Sequence, residues 1–398
     1  YPLRRQRQMC IRDRLWIFAF IAGLSASVVR AVTMFTFLAI GFSFQRKNVI
    51  LFSLITSMFF LLIFKPMFLF DVGFQLSYLA VLGIILIQPK LTKLYKPRFK
   101  FDKKIWEILT VSSAAQIGVL PLSLYYFHQF PGLFMLSNLV IIPFLGAILI
   151  GGIVIIISAL LGVLPQFLAS IYGYIITAMN NFISWISNQE QFLFKEISLS
   201  FLMMMAIYVL IIFGVNFLIL KSSKRLIYFL VSIVSIQSVF LFENHQKKNK
   251  KEFVVFHKSR CTIIGNRVGE QLFVNHDLDS SLIDKTNSMI SYRIGENVNQ
   301  SYKKEFSNIL KIDNDTILVV DSLGVYQLEN LRNPIVLLQQ SPKINLQRLI
   351  KKIAPKQIIA DGSNYKNYVK RWQKTCIQQN TPFHHTGKNG AFILRKDE

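Results

Sequence analysis

Arginine 30 lies in the stretch SASVVRAVTM (25–34), well inside an apolar run. A guanidinium facing lipid costs a few kcal/mol or more, so Arg30 is expected to face a cavity, a carboxylate or an anion. Asp71 is the only acid between residues 15 and 101, which makes it the natural partner. The plainer account is that Arg30 snorkels from a helix end or marks a loop between two short helices. Asp71 opens DVGFQLSYLAVLGIILIQP (71–89), where Gln75 and Ser77 follow before polarity gives out. Positions 71 and 75 share one face of a helix, and that face must meet something other than lipid. Gln116 in SSAAQIGVLPLSLYYFHQF (112–130) and Asn138 in SNLVIIP (137–143) are further polar side chains in apolar surroundings. Helix–helix packing explains many such residues, because small residues permit close approach and amides bond across helices. Their concentration in adjacent segments, with Ser112 and Ser113, favours a polar path instead. His128 and its neighbours Tyr125, Tyr126, Phe127 and Phe130 read as an interfacial aromatic belt, or as a stacking platform for bases.

The second half of the chain holds the histidines that hydrolytic chemistry would need. His257 and His276 stand alone, and His384 and His385 are adjacent, so on a strand they point to opposite faces. Metal-dependent hydrolysis needs at least three convergent ligands and an open position. The sequence has no H-x-H-x-D-H, H-E-x-x-H, C-x-x-C, G-x-S-x-G or P-loop pattern. No enzymatic activity, cofactor or nucleotide site is therefore expected. A hydrolase assembled from distant residues would require three of His257, His276, Asp277, Asp361, His384 and His385 to meet.

The elements that must position these residues follow from composition. The chain has 398 residues, of which 52% are hydrophobic, with 35 Phe and a mean hydropathy of +0.41. Such values belong to a membrane protein rather than a soluble domain. The apolar runs fall within 15–242, and about 20 residues are needed per span. Candidate spans are 15–44, 48–64, 70–88, 105–127, 131–163, 166–188, 200–220 and 226–242, about seven or eight helical segments by this length criterion. The run 131–163 is too long for one simple helix, and Asn138 and Pro143 mark a place to break or re-enter. The segment 166–188 is amphipathic and is expected to lie on the interface or to line a cavity.

Residues 243–398 carry 25 Lys and Arg against 15 Asp and Glu. They read as a small soluble α/β domain, with β-like runs at 252–257, 261–265, 270–275, 316–321, 334–340 and 357–361. Helical spacing appears at 345–354 and 364–379, with Ser363 or Asn364 as the cap of the latter. The end of the chain, PFHHTGKNGAFIL, reads as a hairpin turning at Lys388–Asn389–Gly390. Cys261 and Cys376 are either a disulfide or two buried thiols. The basic loops 45–47, 90–104 and 221–225 belong in the cytoplasm by the positive-inside rule. Span 226–242 then places 243–398 on the far side of the membrane, although KKNKK (247–251) argues the other way. Residues 1–14, with RQMCIRDR, resemble translated adapter read-through and are set aside as a non-native artefact.

Four stretches, in order, resemble the competence domain of the ComEC family: SASVVRAVTM, DVGFQLSYLAVLGI (71–84), SSAAQIGVLPLSLYYF (112–127) and NLVIIPFLGAILIGG (138–152). The second carries the resemblance most specifically. The resemblance implies a polytopic inner-membrane channel, of Bacteroidetes type, for uptake of single-stranded DNA during natural transformation. Arg30, Asp71, Gln75, Ser77, Gln116 and Asn138 would then line the DNA path. It also implies that 243–398 is a degenerate metallo-β-lactamase-like domain, here lacking the metal motif; the loop charges place it in the periplasm. Implied partners are the DNA strand in transit, membrane lipid, a periplasmic DNA-binding protein and a cytoplasmic ATPase that supplies the energy. Family members usually carry further N-terminal domains, so the chain reads as a C-terminal fragment. The rival readings are a transporter or flippase of small or lipid-linked anions, and a membrane-anchored hydrolase acting through its C-terminal domain.

Overall fold

A computed structural model of the chain describes residues 13–43, 49–219, 221–278, 283, 286–298, 300–305, 307–312, 315–326, 331 and 333–395. Most of the segment set aside as an artefact, residues 1–12, lies outside the described residues. The chain divides into two compact units, Tyr1–Ile236 and Gln237–Glu398.

The first unit is helical: α1 (13–21), α2 (Ala26–Ser43), α3 (Val49–Phe64), α4 (Val72–Leu91), α5 (Lys100–Phe127), α6 (Phe134–Leu160), α7 (Gln166–Ser187) and α8 (Phe201–Ile219). A further helix, α9 (Ser223–Asn249), carries the chain from the first unit into the second. Among the described residues five helices are long and apolar enough to cross a membrane: α4 with the turn after it, α5, α6, α8 and α9. Helices are the expected solution, since hydrocarbon leaves each backbone group to find its partner within its own segment.

Three details differ from the sequence expectations. The run 15–44 is two helices, parted at Gly23 and Leu24, whose φ values of 70° and 51° leave the right-handed helix. Trp16 Nε1 then donates to Thr36 Oγ1 at 3.1 Å across that break. The run 131–163 does not break: α6 continues through Pro143. Proline removes one backbone donor, and in an apolar setting opening the helix would strand several. Helix α5 begins at Lys100, ahead of the apolar run, and takes in Asp102, Lys103 and Lys104.

Helices α4 and α5 cross most closely at two glycines. A Cβ on Gly83 would stand 3.1 Å from Gly118 Cα, and one on Gly118 would stand 2.6 Å from the Leu79 carbonyl oxygen. Tyr208 of α8 donates its hydroxyl to the Gly118 carbonyl at 3.2 Å, so the crossing is tied to a third helix. Helix α7 is an α-helix outside the five crossing candidates, and Tyr172 on it donates to the Ile148 carbonyl of α6 at 2.9 Å.

The second unit is a four-layer sandwich. One sheet has the order β12-β3-β4-β5-β6 and the other β11-β10-β9-β8-β7. Their strands are β3 (Lys251–Val255), β4 (Ile263–Val268), β5 (Gln271–His276), β6 (Gln300–Lys303), β7 (Ile309–Ile312), β8 (Asp315–Val320), β9 (Ile335–Leu338), β10 (Gln357–Ala360), β11 (Phe383–His385) and β12 (Phe392–Arg395). Alternation along each strand explains the layers. Phe253, Val255 and Ile264 meet Ile317, Val319, Leu337 and Ile359 between the sheets. Val254, Phe256 and Leu272 turn outward to Met289 of helix α10 (Asn287–Glu296). On the other side Leu318, Val336 and Ile358 meet helices α11 (Leu346–Ile353) and α12 (Lys366–Gln378). Strands covered on both faces read as unbroken apolar runs, as ILVV (317–320) and IVLL (335–338) do.

The terminal hairpin does not form. β11 pairs in parallel with β10, whereas β12 pairs antiparallel with β3 in the other sheet, with the short helix α13 (Thr386–Asn389) between them. One hairpin would have extended a single sheet; the crossing extends both and brings Phe392 and Leu394 to the core between them. Nor do Ser363 and Asn364 cap α12, whose N-cap is Tyr365 without a side-chain bond. They accept instead from the backbone N–H groups of Gln340 and Ser341, at 2.7 and 2.8 Å, and sew two loops together. Cys261 and Cys376 are free thiols; Cys376 is buried and Cys261 half-buried.

Candidate polar site in the membrane unit

Arg30 is buried on α2, and its Nη1 donates to Asp71 Oδ1 at 3.3 Å. Asp71 is not inside a helix. It is the N-cap of α4, where its Oδ1 also accepts from the Phe74 N–H at 2.6 Å. An aspartate at this position satisfies one of the four free donors of a helix start and complements the positive end of the helix dipole. The chain reaches Asp71 through a 3-10 turn, Pro66–Phe70, and Gln75 reaches back to it, its Nε2 donating to the Leu69 carbonyl at 2.6 Å.

The guanidinium needs space over the first turn of α4, and Gly73 provides it. A Cβ at residue 73 would stand 3.1 Å from Asp71 Oδ1 and 3.3 Å from Arg30 Nη2. Two buried polar atoms at this turn have no partner among the described residues: Arg30 Nε and Gln75 Oε1. An unpaired buried donor costs roughly 1–3 kcal/mol, more when charged. The site therefore keeps unused donor and acceptor capacity.

The other sequence candidates are placed differently. Ser77 lines a cavity of about 320 Å³ with Ser27 and Ala31 of α2 and Ser53 of α3. Gln75 lines a second cavity, of about 440 Å³, with Tyr78, Tyr125, Tyr126 and Met204. Leu54 borders both, and both are walled mainly by apolar side chains. Gln116 and Asn138 are half-buried on α5 and α6, and neither borders these cavities. The structure thus joins Arg30, Asp71 and Gln75 at one turn, sets Ser77 on a neighbouring cavity, and leaves Gln116 and Asn138 apart from them.

Sequence reasoning passed over Gly73 and Tyr78. Tyr78 is buried with its hydroxyl 3.2 Å from Ser57 Oγ. Its signal was available: Phe74 and Tyr78 are four apart and present one aromatic face to α3. The aromatics near His128 pair with each other. Phe130 stacks on Phe194 at 6.3 Å, and Tyr125 meets Tyr126 edge-on at 5.1 Å. His128 adopts the left-handed conformation at the end of α5, and its backbone carbonyl accepts from the Ile197 N–H at 2.9 Å. Strands β1 (Phe130–Pro131) and β2 (Leu193–Phe194) complete that clamp.

In the second unit, strand ends gather a second polar cluster. Thr262 links two acids: its N–H donates to Asp277 Oδ1 at 2.9 Å and its hydroxyl to Asp361 Oδ2 at 2.7 Å. Asp361 is fully buried and accepts further bonds from Ser363 and Asn364. Burial dominates and pushes its carboxyl up to about 6, against the pull of these donors. His257 Nδ1 lies 3.0 Å from Thr386 Oγ1, and burial, then the neighbouring His257, lowers the pKa of His385. His384 Nε2 lies 3.0 Å from the Gly390 carbonyl instead. Among the described residues no three of His, Cys, Asp and Glu are grouped as a metal site.

Comparison with known proteins places this architecture. The sequence matches the competence protein family over residues 1–221, more than half its length. The chain belongs to the competence protein family. The match takes in residues 1–14, the segment set aside above. Residues 253–396 match the ComEC C-terminal domain, so the four-layer unit is the second family element of a ComEC-family membrane protein. A curated relative, ComE operon protein 3 of Bacillus subtilis (strain 168), is 28% identical over 172 residues, covering 43% of this chain and 20% of that protein. The aligned part is thus about a fifth of the relative's length. No solved structure matches.

Proposed function

We propose that the chain contributes the membrane path by which one DNA strand enters the cell during natural transformation. Membership of the competence protein family supplies the setting, and the Bacillus relative is a ComE operon protein by name. The observation that carries the reading is the unfinished hydrogen bonding around Arg30. A buried guanidinium bound to one carboxylate oxygen, with Nε free, retains donors for an anionic oxygen in transit. Arginine suits this role because its fork of donors matches phosphate geometry. Polar side chains inside the membrane mark substrate paths by default. The apolar cavities on either side of Leu54 give the neighbouring helices room to repack as a strand passes.

In this reading the path lies in the inner membrane, with the four-layer unit on the periplasmic side. A periplasmic DNA-binding protein delivers DNA, and a cytoplasmic ATPase draws it in. The α/β/β/α layering supports a relationship of that unit to metallo-β-lactamase-like domains. Its polar cluster acts structurally rather than hydrolytically: Thr262, Ser363 and Asn364 spend their hydrogen bonds on Asp361. A photoreactive amino acid at Gln75 tests the path. It should cross-link to labelled single strand during uptake, whereas adducts to lipid alone, with uptake running normally, would exclude this turn from the path.

A further inference from the structure

We propose that the outer helical face of the four-layer unit, formed by α11 and α12, docks onto acidic phospholipid headgroups. Both helices lie on the same side of one sheet, held there by Leu346, Leu349 and Ile353 of α11 and Val369, Trp372 and Cys376 of α12. Their other faces are exposed and carry one sign of charge. On α11 these are Arg348, Lys351 and Lys352. On α12, Lys366, Lys370 and Lys374 are exposed at intervals of four and form a stripe, with Arg371 beside it over the Tyr368 ring. Between residues 341 and 380 the sequence has one acid, Asp361, and it is buried. Among the described residues none of these cations is paired with an acid, so the complement of the face is an extended anionic surface.

Two observations select lipid over nucleic acid. Ile377 falls in the lysine stripe and is 68% exposed, and Tyr365, just ahead of α12, is 72% exposed. An aliphatic side chain among lysines gains nothing from a phosphate backbone, but it enters the headgroup–acyl boundary of a bilayer, where tyrosine also concentrates. The second observation is covalent. Helix α9, long and apolar enough to cross a membrane, ends at Asn249, and β3 begins at Lys251. That short connection holds the four-layer unit, and the face with it, at high effective concentration near lipid. A Lys or Arg near an acidic leaflet contributes roughly 1 kcal/mol, a factor of about five in affinity. This inference is independent of what crosses the membrane unit.

The test uses the whole chain in nanodiscs, with an environment-sensitive dye on Ile377→Cys in a Cys10→Ser, Cys261→Ser background; Cys376 is buried. In discs containing phosphatidylglycerol and spin-labelled lipid the dye should be quenched and blue-shifted. In phosphatidylcholine discs it should be neither. High salt should reverse the effect without any further substitution. Lys370→Glu should weaken it about fivefold or more, with circular dichroism unchanged. Equal signals in the two lipids, or insensitivity to salt, would overturn the proposal. So would a response to a single-stranded oligonucleotide in neutral discs with none to phosphatidylglycerol, which would reassign the face to nucleic acid.

Discussion

Among the described residues each unit buries one arginine against acid, and the two sites are built differently. In the four-layer unit Arg267 is fully buried and uses all three nitrogens. Nε donates to the Gly269 carbonyl at 2.7 Å, Nη1 to Glu296 Oε2 at 2.5 Å, and Nη2 to the Glu296 carbonyl at 3.2 Å. Glu252, equally buried, takes Lys250, Arg395 and the Tyr292 hydroxyl as partners. Burial by itself would raise the pKa of Glu296; Lys250 and Arg267 overcome that and hold it below the usual carboxylate range. In the membrane unit Arg30 has one contact at 3.3 Å, an unpartnered Nε, and a partner carboxylate that is 43% exposed. A saturated network fixes a structure. A half-used one, in surroundings where unused donors are most costly, is what the proposed role in anion passage would require.

The largest effect should come from breaking the saturated site. Arg267→Met leaves Glu296 with Lys250 alone and an apolar side chain beside two acids, and removing one partner of a buried network costs about 3–5 kcal/mol. Limited proteolysis of the membrane-extracted chain should show the four-layer unit digested far faster, with the first unit's fragments unchanged. The matching change, Arg30→Met, removes the buried charge and leaves Asp71 bonded to the Phe74 N–H, so its stability cost should be the smaller of the two. Equal proteolytic loss for both variants would erase the distinction between the sites. Gly73→Ala sharpens it further, since a methyl group there presses on both Asp71 Oδ1 and Arg30 Nη2. It should lower DNA uptake several-fold at unchanged protein abundance.

The smallest effect is one of pH. The Asp361 carboxyl is raised from 3.8 to about 6 on folding, so the protonated form favours the fold. Its contribution is complete below about pH 3.8 and declines as pH rises through about 6. Glu296 acts oppositely: its contribution is present above 4.5 and fades as pH falls. Thermal melts of the four-layer unit in the whole chain should therefore decline slightly from pH 4 to 6, and Asp361→Asn should remove that slope. A slope of the same size in the variant would show that another group causes it.

The two units were unequally legible in sequence. ILVV, IVLL and QIIA announced β8, β9 and β10 because strands covered on both faces have no polar alternation to blur. The apolar runs at 48–64 and 200–220 announced α3 and α8 because lipid leaves the backbone no other solution. What escaped was decided over distance. Nothing local in PFHHTGKNGAFIL says that β11 and β12 join different sheets; that follows from which edges remain open. Ser363 and Asn364 look like caps until the loop at 338–341 arrives to claim them. The break at Gly23–Leu24 carries one glycine as its signal, while Pro143, a stronger local breaker, is overruled by its surroundings. Asp71 could be named as Arg30's partner by elimination, since no other acid was near. That it caps α4, and that Gly73 clears the way, required the geometry.

The most direct test of the contrast is DNA uptake per molecule, with labelled DNA and quantified protein, for Arg30→Gln and Arg267→Gln in otherwise identical cells. The account predicts that Arg267→Gln lowers abundance and uptake together, leaving uptake per molecule unchanged, while Arg30→Gln keeps abundance and lowers uptake per molecule at least tenfold. Normal uptake per molecule with Arg30→Gln would contradict it and return that buried pair to a purely architectural role.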